Sequence, residues 1–420
     1  MSERLAIDGG TPVLSAMLPT GKGVALLGDE ERKAVLEVLD SRSLFRYYGP
    51  DLRNKVEGFE EAARALLGAR HAVATSSGTA ALRAALAALG VGCGDEVVVP
   101  AFTFIATVNA VVSMGAVPVF AEIDDTLGLD PTDLAGRITP RTAAIVPVHL
   151  ENGACDMDPI MEVARSRGVP VLEDTAQSMG ASYKGRHLGT IGDLGAFSLQ
   201  LEKNVTSGEG GLVTSDDETL YLRAARYQDQ GGQFVTSTGS ERGTDRLDPF
   251  VGENLRMTEL AGAIAGVQLA RLPGLLQAQR ANRDRVLSGI GDHPGLCLRR
   301  SPDPDGDGAS SITFFLPAPD LARRFAKALI AEGVPAGQMY RGKPVYATES
   351  ILHKRTASGK GGPWNCAEHP STVEYRMGMC PRTEDIAGRS AIVVIAAGYR
   401  EADCDAVAGA VNKVAAALLS

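Results

Sequence analysis

Gly195-Ala196-Phe197-Ser198-Leu199-Gln200-Leu201-Glu202-Lys203-Asn204-Val205-Thr206-Ser207-Gly208-Glu209-Gly210-Gly211 is the stretch on which the fold turns. An apolar run enters a mostly uncharged loop and leaves through glycines into a second apolar run at Gly211–Thr214. The spacing predicts strand, loop, strand. A lysine inside such a unit is unusual, because most lysines are solvated and inert. Held in a closed, partly apolar site, its amine loses a proton more easily and can form an imine with a carbonyl. The neighbouring glycines let the backbone fold tightly around a flat ligand.

Upstream of this stretch, short β-branched runs alternate with Ala/Leu-rich helical runs. The strand candidates are His71–Thr75, Glu96–Pro100, Ala143–His149, Val169–Glu173, Gly195–Leu199 and Gly211–Thr214. Thr79–Leu89 carries leucines at 82, 86 and 89 on one helical face. Asp156–Arg167 begins on an acid suited to an N-cap, has Pro159 in its first turn and stops at Gly168. Gly28–Leu67 is helical in spacing, broken near Tyr47-Tyr48-Gly49-Pro50. Strands alternating with helices imply right-handed crossovers and a mostly parallel, buried sheet, so the fold class is α/β. Gln228–Asp248, Ser301–Ser311 and His353–Met379 read as long loops, which in a compact enzyme are often functional. A domain change is expected near residue 280, giving a large domain over 1–280 with an N-terminal arm and a smaller one over 281–420.

Two more stretches carry possible chemistry. In Ala74-Thr75-Ser76-Ser77-Gly78-Thr79-Ala80 a strand runs through a small-residue turn directly into a helix. The free amides and positive dipole end of that helix suit an anion, and Gly78 allows close approach. An ordinary N-capped helix has the same appearance. In Val171-Leu172-Glu173-Asp174-Thr175-Ala176-Gln177 an apolar strand ends in two acids, where α/β sheets place their ligands. A carboxylate there can pair with a cationic ring nitrogen, or it can be a solvated loop acid. A phosphate cradle, an acid for a ring nitrogen and an imine-forming lysine are together the grips an apoprotein needs on pyridoxal phosphate.

Composition narrows the alternatives. The 420 residues, 44% hydrophobic and 22% charged, suffice for a sizeable core without staples. A net charge of -9 disfavours a nucleic-acid partner, because the long-range field repels a phosphate backbone. No apolar run is long enough to span a bilayer, and the opening Met1–Asp8 lacks the apolar core of a signal peptide. A cytoplasmic protein is therefore expected. The six cysteines, at 93, 155, 297, 366, 380 and 404, include no C-x-x-C pair and are expected as free thiols. No zinc spacing is present. Asp303-Pro304-Asp305-Gly306-Asp307-Gly308 starts like a calcium loop, but its twelfth position is Phe314 where a glutamate is needed.

In these residues the chain resembles the DegT/DnrJ/StrS family of PLP-dependent sugar aminotransferases. The likeness runs through Ile7-Asp8-Gly9-Gly10-Thr11-Pro12, Ser77–Leu82, Val99–Thr107, Glu173–Gln177, Phe197-Ser198 with Lys203 and Gly208–Gly211, Gly252–Leu260 and Cys380–Asp385. It implies a type I PLP-transferase fold, with a mostly parallel central sheet flanked by helices and a smaller C-terminal α+β domain. It implies pyridoxal 5'-phosphate as cofactor, with Lys203 forming the imine and Asp174 pairing with the pyridine nitrogen. Gln177 is implied beside the ring's 3′-oxygen and Phe104 stacked on the ring. Ser77, Gly78, Thr79 and Ser198 are implied around the phosphate. Asn254 and Arg256 are implied to reach the neighbouring subunit's cofactor phosphate, which makes a homodimer with shared sites. The implied reaction is ping-pong transfer of an amino group from glutamate or glutamine to a keto-sugar or keto-cyclitol.

The chain departs from the family pattern at His149-Leu150-Glu151-Asn152-Gly153-Ala154-Cys155 and at Leu199-Gln200-Leu201-Glu202. Glu202 either points to solvent or tunes Lys203. These departures bear on the acceptor more than on the cofactor. Dehydration or aromatisation on the same scaffold is the alternative, together with a non-catalytic PLP-binding regulator. Family dehydratases carry histidine in place of the lysine, so Lys203 argues against the dehydratase route.

Overall fold

The computed structural model describes residues 4–232, 247–248, 250–367 and 370–419. Helices α1 (Asp29–Ser41) and α2 (Lys55–Leu67) are separated at the expected Tyr-Tyr-Gly-Pro break. Strand β1 (His71–Thr75) leads to α3 (Gly78–Ala88), β2 (Glu96–Pro100) to α4 (Ile105–Ser113), and β3 (Val117–Ala121) to α5 (Pro131–Arg137). β4 (Thr142–Ile145) leads to α6 (Met157–Arg167) and then β5 (Leu172–Asp174). The small hairpin β6 (Ser182–Tyr183) and β7 (Arg186–His187) precedes β8 (Leu194–Ser198), β9 (Gly211–Ser215) and α7 (Glu218–Gln228).

These strands pair in the orders β3-β2-β4 and β5-β8-β9-β1. Parallel bridges Ile145–Val171 and Val148–Asp174 join the two sets into one sheet. β2 runs parallel to β3 and β4, and β5 runs parallel to β8; β9 is antiparallel to both its neighbours. The period-2 alternation of each strand supplies two cores. Val97, Val99, Ala196 and Val213 face α3, α4 and α7, whereas Phe197 and Leu212 face α2 and the long helix α8 (Glu259–Gly289). β3 was not among the sequence candidates, because Pro118 interrupts it; the strand sits at the sheet edge, where a missing amide is tolerated. β4 is shorter than the expected Ala143–His149, the chain beyond Ile145 keeping only bridge contacts.

A second, antiparallel sheet is ordered β10-β11-β13-β12, from β10 (Cys297–Leu298), β11 (Ser311–Phe315), β12 (Ala336–Gly337) and β13 (Ser390–Val394). Its core includes Ile312, Phe314 and Val393 with Phe325 and Leu329 of α9 (Pro319–Ala331) and Val407 and Val411 of α12 (Glu401–Leu418). α10 (Glu349–Leu352) and α11 (Pro381–Arg389) lie between. α8 passes residue 280 without a break: Leu269–Leu276 pack in the first half and Val286 in the second core. The chain also crosses over in both directions. Leu5 and Leu18 belong to the second core, and Tyr346, Trp364 and Tyr375 belong to the first. The buried Glu332 pins the N-terminal arm by accepting from the amides of Ala6 (2.8 Å) and Val13 (2.9 Å) while pairing with Lys413 (2.9 Å).

Two sequence expectations need correction. Cys93 and Cys366 are joined in a disulfide, so only Cys155, Cys297, Cys380 and Cys404 are free. The partners lie 273 residues apart in sequence and meet because the Trp364 segment folds back on the first core, a long-range contact that spacing does not encode. Asp156 precedes α6 but does not cap it through its side chain; its carboxylate accepts from the Tyr183 hydroxyl at 2.7 Å. Of the expected Gln228–Asp248 loop, residues 233–246 lie outside the described residues. Among the described residues no helix is long and apolar enough to cross a membrane, and no group of three or more His, Cys, Asp or Glu could hold a metal ion.

Candidate active site

The parallel strands of the central sheet end at a cavity of about 750 Å³, walled on the other side by Ala336–Tyr340 and by Ile392 and Val394 of the second sheet. Ser77, Gly78, Thr79, Phe104, Asp174, Gln177, Ser198 and Lys203 all line it. They come from four separate strand ends, which is what a sheet with strand C-termini at one edge delivers.

Lys203 sits in the loop between β8 and β9. Leu199 donates to Gly210 O (2.8 Å), Ser207 to Leu199 O (3.0 Å) and Lys203 to Gln200 O (3.0 Å), so the loop is held tightly. Gly208, at φ 83°, takes the left-handed turn that closes it. The Gly23 amide of the N-terminal arm binds Lys203 O at 3.1 Å. Burial first, and then the Lys22 ammonium, hold the Lys203 amine below the ordinary lysine range, with Glu151 and Asp174 pulling the other way. Glu202 beside it is exposed at the cavity rim.

Asp174 ends β5 and is 3% exposed. Its Oδ2 accepts from Thr107 Oγ1 (2.8 Å) and its Oδ1 from the Ala176 amide (3.1 Å). Burial pushes its carboxyl above the usual aspartate value despite those two bonds. A buried acid in this condition is the natural partner for a cation arriving from the cavity. Behind it, Glu173 points to the opposite side, accepting from the amides of Gly189, Ile191 and Gly192 and contacting His149 Nε2 at 3.0 Å. The Cys155 amide donates to His149 Nδ1, which leaves Nε2–H to donate to Glu173. Of the two adjacent acids, one is therefore structural and one faces the cavity.

The α3 N-terminus opens on the same space. Ser77 Oγ accepts from the Ala80 amide (3.1 Å), and the first amides of the helix have no intrahelical acceptor. A Cβ at Gly78 would lie 2.7 Å from Ser198 Cβ and 3.0 Å from its Oγ, and one at Gly211 would lie 2.3 Å from Ser77 O. This close-approach cradle at a helix N-terminus fits a phosphate, and the buried acid and the amine fit the pyridine nitrogen and the aldehyde of pyridoxal phosphate. Gly78→Ala is expected to weaken cofactor affinity by about tenfold or more, from overpacking against Ser198. Absorbance titration of the apoprotein with pyridoxal phosphate checks this.

Phe104, the residue before α4, is 54% exposed at the cavity edge. Asn254 and Arg256 do not line this chain's cavity: Arg256 pairs with Asp229 at 2.8 Å and lies over the Phe45 ring, and Asn254 bridges to Asp229 through the backbone. Sequence reasoning passed over Thr107, Tyr340 and Lys22. Thr103, just before α4, and Thr107, in its first turn, have hydroxyls 2.9 Å apart, a pair of threonines four residues apart beside an apolar strand end that could have been noticed. Tyr340 accepts from Gln177 Nε2 at 2.8 Å across 163 residues, and its φ of 47° is left-handed. No local pattern marks it.

The family model for DegT/DnrJ/EryC1/StrS aminotransferases matches residues 26–385. GDP-perosamine synthase of Caulobacter vibrioides is 41% identical over 262 residues, covering 62% of this chain and 66% of that one. L-glutamine:2-deoxy-scyllo-inosose aminotransferase of Micromonospora echinospora is 36% identical over 318 residues, covering 74% and 73%. Among solved structures, S. venezuelae DesV in complex with a ketimine intermediate superposes with a TM-score of 0.80 at 30% identity, covering 96% of this chain and 99% of that one. A sheet-edge cavity built from these motifs, on a chain matched over nearly its whole length, makes this protein a member of the DegT/DnrJ/EryC1/StrS aminotransferase family.

Proposed function

We propose that the protein moves an amino group from glutamate or glutamine to the carbonyl carbon of a keto-sugar or keto-cyclitol, with pyridoxal 5'-phosphate as cofactor, in amino-sugar or aminocyclitol biosynthesis. The observation that carries this is the convergence of Lys203, Asp174 and the α3 N-terminus on one cavity. The bound cofactor supplies an electron sink that acidifies the C–H bond of an attached amine. Lys203, with its amine held below the ordinary lysine range, is the base that takes that proton and the acid that returns it. Asp174 keeps the ring nitrogen protonated, and Thr107 fixes the carboxylate's orientation. Gln177, whose amide donates to the Tyr340 hydroxyl, would lie on the ring's oxygen side when the cofactor is bound. Ser77, Gly78, Thr79 and Ser198 would hold the phosphate, and Phe104 would cover the ring. Asn254 and Arg256, turned away from this chain's cavity, serve the second subunit of a homodimer.

The PLP-reconstituted protein should be yellow, and glutamate or glutamine should bleach the band, which a keto acceptor then restores. A yellow protein indifferent to every amino donor would mean other PLP chemistry, such as dehydration. A colourless protein that cannot be reconstituted would overturn the reading.

A further inference from the structure

We propose that the Cys93–Cys366 disulfide is a latch worked by thiol–disulfide exchange. Closed, it fastens the loop over residues 353–379 to the first core; opened by a dithiol, it frees that loop and slackens the Ala336–Tyr340 wall of the cavity. The inference goes beyond the aminotransferase reading. Cys93 lies in the turn between α3 and β2, beside the central sheet. Cys366 lies in a loop that leaves the second sheet after β12 and rejoins it through α11 and β13. Among the described residues, every backbone–backbone hydrogen bond of 353–379 stays between 349 and 379. Side chains therefore tie the loop down. The Tyr375 hydroxyl donates to Pro118 O (2.7 Å), its ring meets Phe120 edge-on at 5.2 Å, and Trp364 Nε1 donates to the Tyr375 hydroxyl (3.1 Å). The disulfide adds a covalent tie to these.

The bond is placed for exchange. Cys93 is exposed, whereas Cys366 is buried. Gly92 and Gly94 flank Cys93 and offer no side-chain cover, and a Cβ at Gly92 would meet nothing within 4 Å. Exposed disulfides are the labile ones, because exchange needs direct approach to one sulfur. A reductant thiolate attacks Cys93 Sγ, the Cys93–Cys366 bond breaks, and Cys366 leaves as a thiolate that takes up a proton. The reductant's second thiol then attacks its own sulfur in the mixed disulfide and releases Cys93, which is protonated in turn. The protein gains two electrons and two protons, and the dithiol becomes a cyclic disulfide.

Both segments that carry the loop bear on the cavity. Upstream, Val345 N donates to Ala101 O (2.8 Å), just past β2, and Tyr340 shortly before it accepts from Gln177. Downstream, Gly388 O of α11 and Ser390 O accept from Gln338 Nε2 at 2.9 and 3.0 Å. The Ala336–Tyr340 wall is thus held between the two. Local opening of the loop costs less once the covalent tie is gone, and the wall loses order with it.

The test uses the PLP-loaded protein, one sample oxidised with glutathione disulfide and one reduced with dithiothreitol. Both are blocked with iodoacetamide and desalted. Peptide mapping of the oxidised sample should find Cys93 and Cys366 linked and the other four cysteines alkylated; the reduced sample should show all six alkylated. Trypsin should then cut the reduced sample after the exposed Arg355, Lys360 or Arg376 at least about tenfold faster, since cleavage follows the population of the open loop. Cofactor loss on dilution, followed by absorbance, should quicken by roughly threefold or more. Cys93→Ser removes an exposed side chain and should match reduced wild type whatever the treatment, whereas Cys297→Ser should respond as wild type does. The absence of a linked peptide after oxidation overturns the inference. So does cleavage or cofactor loss at one rate in both samples, or a Cys93→Ser variant that behaves as the oxidised protein. A protein that cannot be loaded with pyridoxal phosphate counts instead against the cofactor reading, and thiol mapping with cleavage then decides the latch.

Discussion

Lys203→Ala is expected to lose at least about 10³-fold in turnover, because the variant lacks the group that both anchors the cofactor's aldehyde and carries the proton. The fold should survive. Lys203 sits in a loop whose closure uses backbone bonds of Leu199, Gln200, Ser207 and Gly210, none of which needs its side chain. Removing an amine whose charge is disfavoured by burial also relieves a cost rather than creating one. Borohydride reduction, digestion and mass measurement should find the cofactor adduct at position 203 in the wild-type protein. In the variant there should be no adduct, with a circular dichroism spectrum matching that of the parent. Near-normal turnover in the variant, or an adduct at another lysine, would refute the proposed site.

Asp174→Asn should lower turnover by on the order of 10²–10³, the scale of losing one preorganised electrostatic partner in a buried site. Pyridoxal phosphate should still bind, since the α3 N-terminus and Lys203 are untouched. The same substitution makes a second, oppositely signed prediction for the cofactor-free protein. Burial raises the Asp174 pKa above its unfolded value of 3.8. The folded state then holds a proton that the unfolded state has released, so stability falls as pH rises from about that value through the raised folded pKa. Asp174→Asn removes this slope, and the apoprotein variant should melt higher than wild type at neutral pH. Thermal melts of both apoproteins across the acidic range measure it. Equal melting temperatures at every pH would show that Asp174 is not the strained acid described here.

The far side of the cavity is drawn from the N-terminal arm (Lys22), the segment between β4 and α6 (Glu151, Asn152) and residues 336–340. Glu332 and Lys413 hold the arm against the second core, so the arm that carries Lys22 is anchored at a distance from the chemistry.

The sequence alone determined the α/β alternation, the strand that ends in Asp174, the turn from β1 into α3 and the loop bearing Lys203. Each of these is a local pattern, because side-chain alternation, turn residues and helix starts are set by neighbours only a few positions away. Even β3 escaped for a local reason, Pro118, whose edge position only pairing revealed. Tertiary structure decided the rest. It showed which of Glu173 and Asp174 faces the cavity, since adjacent strand residues point to opposite sides and only the packing of His149 says which side is core. It brought Tyr340 to Gln177, Lys22 to Glu151 and Cys93 to Cys366, pairs separated by 163, 129 and 273 residues. Contacts of that span arise from how whole layers stack, and no window of sequence short enough to read by periodicity contains both partners.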